Sequence, residues 1–249
     1  MKSIFLFIFL GIAQFLFAQD VSLLLKEADN YDKQLKEQEA IDKYREILSA
    51  DSNNYRSILR LTEIFAARGA RHKVEKQRIP FYDTAFSYAV TAMRKDSVTA
   101  DSYYLMGLVN QKKAEVVRDR ESADYLREMK QYADKAVSIN PNHSKALLLA
   151  GKWHLDVTKA TFFTKAAAKT IYGGLPKASI DVAIDNLEKA RKIDPYFVQA
   201  YFELARAYEA NNQPTQQIDV LNKLVKLPLR TPDDAAWKAE AKKMLEQMK

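Results

Sequence analysis

The chain has 249 residues, 47% of them hydrophobic, and a formal charge of +7 from 39 basic and 32 acidic side chains. That length and apolar fraction allow one domain, or two small ones, with a genuine core. With 6 glycines and 7 prolines it is too poor in both for a β-sandwich, a barrel or a disordered chain; without cysteine it has no disulfide framework and no thiol nucleophile, and its scattered basic excess lacks the dense Lys/Arg block of a nucleic-acid binder.

Residues 1–18, "MKSIFLFIFLGIAQFLFA", have the form of a secretory signal peptide. Lys2 gives the positive start, Ile4 to Phe17 are apolar apart from Gly11 and Gln14, and Ala18 is a small residue at a cleavage point. The apolar run is shorter than the ~20 residues of a spanning helix. The expectation is an exported chain, periplasmic or secreted, with no transmembrane segment after cleavage near Ala18; retention of the segment as an anchor is the alternative.

Further along, three phrases resemble one another: "SADSNNYRS" at 49–57, "SINPNHSKA" at 138–146 and "KIDPYFVQA" at 192–200, with "MRKDSVTADS" at 93–102 a weaker fourth. Each looks like a helix end, a turn opened by Asp or Pro, and a new helix. The helix that follows each turn repeats a bulky, apolar, small, bulky sequence of positions. Examples are Ile58, Leu61, Thr62 and Phe65; Tyr103, Met106, Gly107 and Asn110; Leu147, Ala150, Gly151 and His154; and Tyr201, Leu204, Ala205 and Tyr208. Small residues at the third position let two helices approach closely.

This pattern resembles the tetratricopeptide repeat. The resemblance implies an all-α, right-handed α-solenoid of about five helical hairpins, near 21–54, 55–99, 100–143, 144–197 and 198–230, within one domain over 19–249. Thr231, Pro232 and two following Asp open a closing helix over 232–248. In such a solenoid the first helices line a concave groove, whose candidate positions here are Arg56, Glu63, Tyr104, Gln111, Lys152, Phe202, Arg206 and Glu209. Their mixture of charge and aromatic surface suits an extended protein or peptide segment.

Two insertions interrupt the repeat, at about 68–84 and 156–176. The first carries five basic residues between Arg68 and Arg78, with His72 among them; it is a solvated surface or a contact for an acidic partner. In the second, apolar positions from Trp153 to Ile171 keep helical spacing, which predicts a single helix from Ser144 to about Tyr172, roughly 40 Å long. Two readings of it stand. It packs across neighbouring hairpins, or Trp153, Phe162, Phe163 and Tyr172 border an apolar cavity for a phospholipid or fatty acid.

Signals for catalysis are weak. His72, His143 and His154 lie in different repeats without metal-ligand spacing, and no glycine-rich phosphate loop or nucleophile elbow occurs. No enzyme activity, metal or cofactor is expected.

From Gly151 the sequence becomes more specific. Gly151, Trp153, Ala167 and Pro176, then Ala183, Leu187 and Ala190, Pro195 and Phe197, and finally Thr231 and Asp233, fall in the order seen in the regulator of microtubule dynamics family. The chain resembles that family over about 144–249. The resemblance implies a non-enzymatic tetratricopeptide protein; microtubule binding does not carry over to an exported chain, and no family binding residue maps here. The leading expectation is a scaffold in the cell envelope that binds a protein or peptide in its groove. The alternative is a lipid-binding module beside helix 144–172.

Overall fold

The structure, a computed structural model, describes residues 21–94 and 99–248. The signal-peptide reading of residues 1–18 therefore lies outside the described residues, as does part of the turn at 93–102. Every described secondary-structure element is a helix. The first, α1, runs over residues 21–33 and packs on α2 (Glu37–Ala50) through fully buried Ala28 and a Tyr44–Asp29 hydrogen bond of 2.7 Å. Hairpins follow from α3 (Tyr55–Ala70) with α4 (Glu75–Met93), and α5 (Ala100–Ala114) with α6 (Asp119–Ile139). Next, α7 (Ser144–Lys159) packs on α9 (Ile180–Ile193), and α10 (Val198–Ala210) on α11 (Pro214–Leu224). Between α7 and α9 the chain forms α8 (Phe162–Tyr172), which lies on α6, and α12 (Asp234–Gln247) closes the array against α10 and α11.

The first helices of successive hairpins form an inner row: α3 lies on α5, α5 on α7, α7 on α10, and α10 on α12. Local chemistry fixes where α3, α5 and α7 start. Asn54 accepts the Ser57 N–H, Thr99 and Ser102 form a reciprocal capping box, and His143 Nδ1 accepts the Ala146 N–H at 3.1 Å. Each cap satisfies an amide that the new helix cannot.

Two hydrophobic cores meet at α7. Its Leu149, Ala150, Trp153 and Val157 belong to the core of the first three hairpins, while Leu147, Leu148 and Leu155 belong to that of the last two. Trp153 is fully buried and donates its indole N–H to the Leu126 carbonyl of α6 at 2.6 Å.

The expected continuous helix from Ser144 to Tyr172 is two helices. Ala160 leaves helical geometry at ψ 143°, and Thr161 starts α8 as its N-cap, accepting the Thr164 N–H at 3.0 Å. The break turns α8 back onto α6, where Thr164 and Ala168 are buried. It ends at Gly173, whose φ of 74° is open to glycine at little cost. The first insertion is largely helical too: the turn after α3 is short, and α4 extends to 19 residues.

The ends of the array also touch. Arg71, just after α3, pairs with Glu37 at 2.6 Å and with Asp233, before α12, at 2.6 Å. That contact joins positions 162 residues apart, one in the second hairpin and one at the approach to the closing helix.

Close packing sets a further constraint at Gly151. A Cβ there would sit 2.7 Å from Leu187 Cγ and 3.1 Å from the Ala183 carbonyl, whereas at Gly107 the near neighbour is a terminal methyl of Leu149. Overpacking costs about 1–3 kcal/mol, against a gain of up to ~1 kcal/mol in helix propensity. Gly151→Ala is therefore expected to destabilise by about 1 kcal/mol and Gly107→Ala to be near neutral, measured by urea unfolding; equal effects would contradict this packing.

Candidate functional site

Along the inner row, charged side chains face one another between helices rather than pointing into solvent. Near the start, Arg60 of α3 binds Asp32 of α1 at 2.6 Å and its own-turn neighbour Glu63; Glu63 in turn binds Lys145 from the first turn of α7. The buried phenol of Tyr104 on α5 stands beside Glu63. Burial alone would raise the Glu63 carboxyl, but Lys145 and Arg60 outweigh it and lower it to about 2. Burial, with Glu63 adding to it, pushes the Tyr104 phenol well up.

A second cluster lies further along. Lys152 of α7 contacts Asp156 at 3.0 Å and Glu203 of α10 at 3.7 Å, and Arg206 binds Glu203 at 2.7 Å. Glu115, at the end of α5, accepts from Gln111 and pairs with Lys112 at 3.4 Å. Glu203 is only 1% exposed. Burial works against the charge of Lys152, but Asp156, Glu203 and Glu115 more than compensate and hold its ammonium above the usual lysine range. Burial raises the Asp156 carboxyl, with Lys152 opposing it. Among the described residues no group of three or more His, Asp or Glu is placed to hold a metal ion. Where the carboxylates come closest, the Lys152 ammonium already sits among them.

The structure distributes the expected groove residues unequally. Glu63, Tyr104, Gln111 and Lys152 spend their polar atoms inside these clusters. Phe202 is buried rather than open, its ring 4.7 Å from that of Trp237 on α12. Arg56, paired with Asp29 at 3.2 Å, keeps more than half of its side chain exposed, Glu209 is exposed, and Arg206 is partly so. Arg60, Lys145, Asp156 and Glu203 were not among the expected positions. For all but Lys145 the sequence trace is spacing: Arg60 and Glu63, Lys152 and Asp156, and Glu203 and Arg206 are three or four apart on one helix face.

The four residues expected to border an apolar cavity do not share one. Trp153 is inside the core, Phe162 and Phe163 are 79% and 70% exposed, and Tyr172 donates its hydroxyl to Asp124 under the Arg127 guanidinium. The break at Ala160 separates them, since α7 buries its apolar face while α8 starts on a new axis. His154 is buried, accepts the Ser179 N–H at 3.1 Å and steadies the strand-free connector before α9. In the basic stretch, Arg68 and Arg71 bind Glu37, and His72 stacks on Phe81 at 4.8 Å.

Because the Glu63 carboxyl is lowered in the fold, its stabilisation is present above the ordinary carboxylate range and lost as pH falls from about 4.5 towards 2. At neutral pH, Glu63→Gln is expected to cost on the order of 3 kcal/mol in urea unfolding. That deficit should shrink through the same acid window; a deficit independent of pH would contradict the assignment.

The sequence profile of the family described as regulator of microtubule dynamics protein 1–3 matches residues 24–249. Regulator of microtubule dynamics protein 2 of Bos taurus is 27% identical over 127 residues, which is 51% of this chain and 31% of that protein. Regulator of microtubule dynamics protein 1 of Caenorhabditis elegans is 25% identical over 119 residues, 48% of this chain and 53% of that protein. The matches thus span about a third to a half of these relatives' own length. Among solved structures, a thermophilic tetratricopeptide-repeat protein of Thermus thermophilus superposes with a TM-score of 0.65 at 12% identity, covering 91% of this chain and 99% of that one. The likeness establishes an all-α helical-repeat solenoid.

Proposed function

We propose that this chain, which belongs to the regulator of microtubule dynamics family, is a non-enzymatic scaffold that holds a protein or peptide segment along its inner helix row. The observation that carries this reading is the pair of buried ion clusters spanning α3, α5, α7 and α10. Such side chains are held before any partner arrives, so little rotamer freedom remains to be lost on binding. The carboxylates at their centre lie against cations, a poor arrangement for general-base catalysis and a rigid floor for the exposed residues around them.

Within the clusters positive and negative groups are matched, so the row has little long-range pull of its own on a charged ligand. Recognition would fall to the groups that keep free surface: Arg56, Arg206 and Glu209. An exported location, read from residues 1–18, completes the proposal and makes the partner a protein of the cell envelope.

Photo-crosslinking amino acids placed at Arg56 and Glu209 on the inner row, and at Asp185 and Lys189 on the exposed side of α9, test this in the native cell. The same partner should be captured from both inner positions and neither outer one, on a chain whose recovered N-terminal peptide begins at Gln19. Capture only from α9 would overturn the inner-row reading, and a chain retaining residues 1–18 would overturn cleavage.

A further inference from the structure

The most exposed large apolar side chains among the described residues are adjacent: Phe162 and Phe163, at the start of α8. Their rings meet edge to face, with centroids 5.8 Å apart. Nothing about their position is loose. Thr161 caps the helix below them, Thr164 and Ala168 are buried against α6, and at the far end Tyr172 is held by Asp124 and covered by Arg127. Along the flank of the same helix, Phe163, Ala167 and exposed Ile171 follow at steps of four, one apolar stripe without a partner.

Along the chain on either side of this stripe the charge has one sign, with Asp124 of α6 meeting the helix only at its Tyr172 end. From Val157 to Ile180 the chain contains four lysines, Lys159, Lys165, Lys169 and Lys177, and no Asp or Glu. All four are exposed; Lys159, at the end of α7, lies in the field of Glu203 and Asp156 of the second cluster and of Glu209, while Lys165 donates to the Thr158 carbonyl at 3.2 Å and, like Lys169 and Lys177, forms no ion pair among the described residues. Elsewhere in the solenoid, and throughout the inner row, lysines commonly sit against carboxylates, as Lys43, Lys113, Lys130, Lys145 and Lys152 do. Lys165, Lys169 and Lys177 therefore give α8 and the connector after it a cationic rim beside two protruding rings.

We propose that α8 is a docking element for an anionic lipid bilayer, with Phe162 and Phe163 entering the interface and Lys165, Lys169 and Lys177 meeting its headgroups. Two considerations select a bilayer over a protein. A protein partner needs a rigid recess shaped for two rings standing edge to face, whereas a lipid interface admits an apolar wedge without prior shape. Lys165 and Lys169 follow the rings along the same helix, where long stems let ammonium groups stay in the headgroup layer while the aromatics go deeper. The like charge of the rim also disfavours two copies meeting face to face through α8. This element is distinct from an acyl-binding cavity: it places rings into lipid and takes no lipid into the protein. It is also independent of the inner row, because α8 lies on α6, outside the line of α3, α5, α7 and α10.

The test uses the full chain carrying Phe163→Trp, mixed with phosphatidylcholine vesicles with and without phosphatidylglycerol, whose acyl chains are brominated near the headgroup. Bromine should quench the emission added by residue 163 in the anionic vesicles and not in the neutral ones. Added salt should weaken the effect. Charge reversal by Lys165→Glu with Lys169→Glu should lower vesicle affinity at least about 25-fold, from roughly fivefold for each lysine lost at an anionic surface. Whatever the apolar segment before residue 18 contributes is common to every variant and cancels in the comparison. Because Phe162, Phe163, Lys165 and Lys169 are all exposed, thermal unfolding of the variants should be unchanged, which separates loss of docking from loss of fold. Absence of quenching in anionic vesicles, or quenching that survives charge reversal, would overturn the proposal. So would an emission shift without vesicles that grows with protein concentration, since it would show a second copy covering the rings.

Discussion

One helix has to be buried on two opposite sides. α7 contributes Trp153 and Leu149 to one core and Leu147 and Leu155 to the other, leaving its polar residues only narrow strips on which to sit. Lys152 and Asp156 occupy one of those strips, and this is why they end up inside an ion cluster rather than in water. Gly151 belongs to the same constraint: a helix clamped from both sides has to be thin where α9 crosses it. A two-faced helix also explains why Trp153 donates to a main-chain carbonyl, since a buried indole N–H left without an acceptor would cost more than the ring gains by packing.

Burying charge is expensive, and the inner row meets that cost by matching charges across neighbouring hairpins. Arg60 reaches back to α1, Lys145 reaches back to α3, and Lys152 reaches forward to α10. Arg60 and Lys152 each fix the rotation of one hairpin against the next, and Lys145 ties together two hairpins that have α5 between them. Contacts of this kind specify geometry more than they add stability, and removing one partner leaves the other stranded. Arg71 extends the same logic to the ends of the array by binding Glu37 and Asp233 together.

Much of this fold was legible in the sequence because repeats write the same local chemistry several times. The turn phrases at 49–57, 138–146 and 192–200, and the small residues Gly107, Gly151 and Ala205, carry the helical-repeat architecture with no knowledge of contacts. The break in the second insertion was hidden because Thr161 followed by Thr164 fits a helix interior by periodicity and an N-cap by side-chain chemistry; only the packing of α8 on α6 decides between them. The inner row was half visible. The positions that face inward follow from the repeat, but whether a charge there meets a partner depends on a residue in another repeat, as Lys145 and Glu63 show across two repeats at a separation of 82. Phe202 was misjudged for the same reason, since the ring that covers it, Trp237, belongs to the closing helix.

A helix shared by two cores should make them one cooperative unit. Hydrogen exchange followed by mass spectrometry at increasing sub-denaturing urea reads this directly. Peptides from α6, α7 and α9 are expected to converge on a single opening free energy, the largest in the chain, with both flanking cores opening at that same step. If peptides of α3 to α6 and of α9 to α11 instead open at separate free energies while α7 follows only one of them, the two-faced helix does not couple the cores.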